Sequence, residues 1–173
     1  MDDVALRRER RQRLVEQFLA EFGVSSQQLA TSTNKCLDEW ARQLMLVQDQ
    51  PSANLANVVL QLCCAVEAEL AVTLGREPGL EFLAGDGALG DKARRLSQVD
   101  ARTKQRLTAK GVKVGLLGEL QRLLSQLARI RRETRAAHGG VALQTATSAD
   151  AKQTRQITGT IFKRVQTTRT VTR

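Results

Sequence analysis

From residue 116 to residue 137 the positions Leu116, Leu120, Leu123, Leu127, Ile130, Thr134 and Ala137 recur at alternating steps of four and three. That spacing draws one stripe along one face of a long helix and conflicts with the two-residue alternation of a strand. The same period runs through every other long segment. Leu14, Val15, Phe18, Leu19 and Phe22 share a face that ends at Gly23, and Leu29, Thr33, Cys36, Leu37, Trp40, Leu44 and Val47 share another that ends before Pro51. Leu55, Val58, Val59, Leu62, Cys63, Val66, Leu70 and Leu74 mark the most apolar helix, closed by Gly75; Ile157, Ile161, Phe162 and Val165 mark the last one. Ser25 or Ser26, Ser52 and Ser148 are the expected caps of the second, third and final helices. The pattern predicts an all-α bundle of five to seven helices, with the helices after Ser52 and after Val112 packed antiparallel as its spine. The heptad stripe reads first as core packing, and beside the arginine-rich face it also suits a two-fold interface, with self-association or docking on a larger assembly expected through the His138 end and the N-terminal hairpin.

Punctuation divides the chain. Residues 1–50 form a helical hairpin, 51–167 the main helical domain, and 168–173 a flexible basic tail. Residues 76–92 hold Pro78 and the sequence Gly85-Asp86-Gly87-Ala88-Leu89-Gly90, a literal G-x-G-x-x-G. A dinucleotide cradle needs a strand before this motif and a βαβ unit around it, and nothing in the chain reads as a parallel strand. It is not a P-loop either, since Asp91 separates Gly90 from Lys92 and no Ser or Thr follows the lysine. The segment is therefore expected to be a loop. Residues 91–110, with Ala93, Leu96, Val99 and Leu107, are expected to give one or two short helices before a break at Gly111.

Charge is distributed unevenly. Residues 24–90 carry three basic and eight acidic side chains, whereas residues 91–173 carry nineteen basic and five acidic. A C-terminal half at +14 beside a middle at −5 points to an anionic partner, RNA or single-stranded nucleic acid, held by counterion release and phosphate contacts. Aromatic residues are 3% of the chain with no tyrosine, which argues against a base-stacking platform of the RRM or OB kind. No apolar run approaches the length that spans a bilayer, and Met1-Asp2-Asp3-Val4 lacks the order of a signal peptide, so the expectation is a cytoplasmic protein with no membrane. Cys36, Cys63 and Cys64 form no C-x-x-C pair and, with a single histidine, fall short of a zinc set. They read as small core hydrophobes, and no metal or cofactor is expected.

Chemistry concentrates where the only histidine, His138, closes an arginine-dense helix at Gly139-Gly140. A side chain that titrates near neutrality beside guanidinium groups suited to phosphate has the parts to cleave a phosphodiester without metal. The same residues also make an ordinary helix end, His and Arg offsetting the macrodipole and Gly139 supplying the left-handed cap. His138 and Arg132 are the candidate catalytic pair, and Arg129, Arg131, Arg135, Lys110 and Lys113 the candidate phosphate contacts.

The order of elements carries a resemblance. An apolar helix with Cys63-Cys64-Ala65-Val66-Glu67-Ala68-Glu69-Leu70 comes first, followed by a variable loop and a heptad helix ending in arginines and Ala136-Ala137-His138-Gly139-Gly140. Ser148-Ala149-Asp150-Ala151 then opens a final helix. This order resembles the HEPN (higher eukaryotes and prokaryotes nucleotide-binding) superfamily over about residues 52–167, the N-terminal hairpin lying outside. Active members are metal-independent endoribonucleases of toxin–antitoxin, CRISPR and other phage-defence systems, usually dimers whose motifs meet in one cleft. Their commonest motif reads Arg-Asn-x-x-Ala-His. Here Glu133 and Thr134 stand where the Arg-Asn pair belongs, and Arg132, six residues before His138, fits only a looser spacing. On an ideal helix Arg132 lies about 120° around from His138, Arg131 and Arg135 within about 20° and 60°. The resemblance implies an RNA-binding or interaction protein of such a system with a degenerate site. Its implied partners are a second copy or larger assembly, and an antitoxin or effector protein. The alternatives are an active endoribonuclease, with His138 as base or acid and one of the arginines stabilising the phosphate, and a small helical structural subunit of a larger complex.

Overall fold

Two glycines show how the chain turns its periodic segments into separate helices. Gly23 (φ 68°) and Gly111 (φ 82°) take the left-handed conformation that terminates a helix, and the amides of Val24 and Val112 reach back to the carbonyls of Leu19 and Leu107. Val24 and Val112 are themselves buried, so each reversal is locked by an apolar contact. The computed structural model describes residues 3–50, 55–136 and 146–169. Its helices are α1 (Asp3–Ala20), α2 (Thr31–Asp49), α3 (Leu55–Thr73), α4 (Leu89–Ser97), α5 (Ala101–Ala109), α6 (Leu116–Ala136) and α7 (Ser148–Arg169). Short 3₁₀ turns occupy Ser26–Gln28 and Glu81–Leu83, and there is no strand among the described residues. The fold is all-α. The expected Ser52 cap and the His138-Gly139-Gly140 helix end lie outside the described residues.

The predicted stripes face inward. One continuous core joins Val15, Phe18 and Leu19 of α1 and Leu37, Trp40 and Ala41 of α2 to the buried faces of α3, α4, α6 and α7. Phe18 meets Trp40 and Phe22 with ring centroids 5.2 and 5.7 Å apart. Every described member of the heptad stripe, from Leu116 to Thr134, is buried within the chain. From Leu116 to Thr134 the seam is therefore filled by the bundle itself. α3 packs chiefly on α2 and α7, while α6 takes its largest contact from α4 and only a smaller one from α3. The spine is thus broader than the expected pair. Where the two meet, Val112, ahead of α6, lies by Leu74 past the end of α3, and Arg131, far along α6, reaches Glu67.

α3 also revises an expectation. It is long and apolar enough, by length and composition, to cross a bilayer, although no segment was expected to approach that length. Nine of its residues are buried in the bundle, among them Glu69, which is 0% exposed. The Glu69 Oε2 atom accepts from the Ala30 amide at 2.9 Å and the Thr33 hydroxyl at 2.8 Å, and Oε1 accepts from Gln166 Nε2 at 2.9 Å. This carboxyl caps α2. Neither expected cap serves α2: Ser25 forms a capping box with Gln28 on the 3₁₀ turn that Ser26 opens, and the residue at the start of α2, Ala30, has no capping side chain. Orphan amides at a helix N-terminus need an acceptor, and α3 supplies it from across the core. α7 is capped one residue earlier than expected. The Thr147 hydroxyl accepts from the Asp150 amide and the Asp150 carboxylate accepts from the Thr147 amide.

Candidate functional site

Glu67 and Glu69 stand two residues apart on α3, which turns them about 200° from one another. Glu69 serves the α2 and α7 side. Glu67 faces α4 and α6, where its Oε2 pairs with Arg131 Nη1 at 3.2 Å and its Oε1 lies 3.9 Å from Lys92 Nζ. This ion triad lies in the wall of an open cleft of about 1170 Å³, bounded by the glycine-rich loop, the first turn of α4 and the late part of α6. Arg94 and Arg132 line it as well, with Asp86 and Asp91 on the loop side. Arg94 pairs with Asp91 at 2.9 Å, whereas Arg132 is exposed and has no ion-pair partner among the described residues. Behind the cleft the Arg95 guanidinium sits 4.5 Å over the Phe82 ring, tying α4 to the Glu81–Leu83 turn.

The sequence-derived candidates separate in space. Arg131 and Arg132 meet at the cleft. Arg129 lies apart from it, in a shallow groove with Gly118, Arg122 and Ser125. Lys110 pairs with Glu77 at 2.7 Å beside Val112 and Thr73, and Lys113 is exposed ahead of α6, so neither lysine lines the cleft. Adjacent positions on a helix point about 100° apart, and the ends of a 21-residue helix are about 30 Å apart, which is why clustering in sequence did not become clustering in space. His138 and the side chain of Arg135 lie outside the described residues. Glu133, which stands where the motif's arginine belongs, is exposed, does not line the cleft and forms no ion pair among the described residues.

Three residues of the site escaped the sequence reading, Lys92, Arg94 and Glu67. Lys92 is 5% exposed and occupies an apolar position of α4, on one stripe with Leu89, Ala93 and Leu96. A lysine inside such a stripe was the available signal. For Glu67 there was none, since an acid on an apolar helix gives no hint of which neighbour it meets. The glycine-rich motif has half the context of a nucleotide cradle: a helix opens at Leu89, within the motif, but a 3₁₀ turn rather than a strand precedes it. Among the described residues no three His, Cys, Asp or Glu gather as a metal-binding group. The Cys63 thiol is pushed up to about 12 by burial, and burial raises Cys36 and Cys64 too, so the three thiols are poor nucleophiles in the folded chain.

Fold and cleft together define an all-α domain with seven α-helices among its described residues and a glycine-rimmed recess between α4 and α6, lined by four cationic and three acidic side chains. No family model, curated protein or solved structure matches the chain.

Proposed function

We propose that the chain is a HEPN-like helical module that binds RNA through phosphate groups, with the cleft between α4 and α6 as the seat of contact. The observation that supports this is the convergence of Lys92, Arg94, Arg131 and Arg132 on one recess, in the half of the chain that carries the excess of positive charge. Aromatic side chains are too few for base stacking, so affinity is expected to depend steeply on salt and weakly on sequence. Filter binding of a mixed-sequence RNA across a salt series tests it. Arg132→Ala should lower the salt slope by about one. Absence of binding at low salt would leave the third reading, a structural subunit whose basic half meets acidic protein.

A second reading is an active endoribonuclease. It is favoured by Arg132, exposed in the cleft, unpaired among the described residues, and six residues before His138 in sequence. Service in a toxin–antitoxin, CRISPR or phage-defence system of the prokaryotic cytoplasm belongs to the same proposal and rests on the order of motifs. So does assembly as a dimer or with an antitoxin or effector. That assembly is expected through the His138 end and the N-terminal hairpin, and light scattering at micromolar concentration would detect it.

A further inference from the structure

We infer that the cleft is a pocket for a terminal phosphate: the phosphate monoester of a nucleotide, free or at the end of an RNA strand, seated against Lys92 at the first turn of α4. This rests on the phosphate-binding reading above and narrows it to one chemical group and one end of the ligand.

The first support is the state of Lys92. Its side chain is 6% exposed and lines the cleft, yet its nearest carboxylate oxygen, on Glu67, is 3.9 Å away, beyond hydrogen-bond range. That oxygen belongs to a carboxylate whose closer contact is Arg131. Two cations share one anion, and the three ammonium donors of Lys92 have no hydrogen-bond acceptor among the described residues. The ammonium keeps a solvent-facing edge where it lines the cleft, and an anion entering there gains a charge-assisted hydrogen bond to it.

The second support is the loop. None of Gly85, Gly87 and Gly90 has a positive φ. A Cβ at these positions would meet its nearest neighbour at 3.6, 4.0 and 3.7 Å, which is ordinary contact. The fold requires none of the three glycines, and each carries the entropic penalty of glycine on folding. What they leave is open space over bare backbone. Ala88 caps α4 with no side-chain hydrogen bond, and the amides of Leu89 and Gly90 have no acceptor among the described residues. An anion seated there gains these donors together with Lys92.

Geometry favours an end group over a mid-strand phosphate. A phosphodiester carries a sugar on each side, whereas a monoester enters end-on and can reach a lysine held in the wall. Asp86, Asp91 and Glu67 border the same space and oppose anions, so the bound group needs several donors at once; a dianionic monoester engages them best. Ala68, Ala71, Ala84 and Ala128 give the cleft an apolar wall for a sugar or base, in a volume that suits a nucleotide.

The experiment is calorimetric titration of the full chain with two oligoribonucleotides of one sequence, one 5′-phosphorylated and one 5′-hydroxyl. Uridine and adenosine 5′-monophosphates are titrated in parallel. The phosphorylated strand should bind at least about tenfold tighter, the factor supplied by one charge-assisted hydrogen bond. Lys92→Met and Gly87→Ala should each erase that difference while circular dichroism reports an intact helical fold; Gly87→Ala serves as the variant the fold tolerates. Binding of the free monophosphates in competition with the strand would identify a nucleotide pocket, and preference for the strand alone a 5′-end pocket. Equal affinity for both strands with no binding of the monophosphates overturns the inference and leaves RNA binding standing. Binding of the monophosphates without either strand overturns the RNA reading and leaves the pocket.

Discussion

Phe22 occupies the space that a side chain at Gly159 would need: a Cβ there would overlap the ring of Phe22. The close approach lets the α1 end pack on α7, and glycine is the residue that permits it. Gly159→Ala is therefore expected to destabilise the fold, because overpacking costs about 1–3 kcal/mol against a gain of about 1 kcal/mol in helix propensity. Gly118 on α6 is the control, since a Cβ there meets nothing within 4 Å. Gly118→Ala should stabilise by about 0.5–1 kcal/mol, a Tm rise of about 2–4 °C. Thermal melts of the two variants should move in opposite directions, and a rise for both would show that Phe22 swings away freely.

Glu69 holds α2, α3 and α7 to one another through neutral donors. Replacing it with leucine keeps the volume but strips the acceptors from the Ala30 amide, the Thr33 hydroxyl and the Gln166 amide, at about 1–3 kcal/mol for each group left unsatisfied. Glu69→Leu should thus lose more than about 3 kcal/mol in urea denaturation. Glu69→Gln should be much milder, since its carbonyl serves α2 while its amide donates to a flipped Gln166 carbonyl. Equal losses for the two variants would show that charge, rather than hydrogen bonding, holds the junction.

How much was legible in the sequence divides along the line between local and tertiary causes. The α6 stripe from Leu116 to Thr134, the α7 stripe from Ile157 to Val165 and the breaks at Gly23 and Gly111 depend on neighbours within a turn or two, and each appears where periodicity placed it. The cap of α2 was not legible, because Glu69 is thirty-nine residues from Ala30 in sequence. The cleft divides in the same way. Arg131 and Arg132 were visible as a basic run, but Glu67 and Lys92 join them only through the packing of α3 and α4 on α6. The glycine-rich motif was identifiable as a motif, while its position beside those arginines was not.

Cys63 is fully buried, and its thiol is held up to about 12 by desolvation. A thiol raised in the folded state keeps its proton while the unfolded chain loses one above pH ~8.5, so the folded state is disfavoured as pH climbs from there towards 12. Cys63→Ala should flatten that alkaline fall, at the expense of about 1 kcal/mol of packing at neutral pH. At pH 8 the native chain should react only slowly with Ellman's reagent and release three equivalents after unfolding. Rapid native labelling at Cys63 would mean that the core opens more readily than its packing implies.

The arginines of α6 allow the sharpest test of the functional reading, because two of them three residues apart have different surroundings. Arg132 lines the cleft, whereas Arg129 lies in the separate groove with Gly118 and Arg122. If RNA is held at the cleft, Arg132→Ala should weaken binding severalfold and Arg129→Ala much less, although each removes one positive charge. Equal losses would mean that only net charge matters and that the cleft has no special part. The same variants address catalysis. An endoribonuclease of this kind should cleave labelled mixed-sequence RNA in EDTA and leave a 2′,3′-cyclic phosphate by attack of the adjacent hydroxyl. His138→Ala should then abolish cleavage while RNA binding persists, and Arg132→Ala should slow it more than Arg129→Ala, because charge on the phosphate is stabilised only by groups that reach it. Cleavage shared equally by wild type and His138→Ala would point to another site or a contaminant. No cleavage by the wild type would favour the degenerate reading, in which the cleft binds phosphate without breaking it.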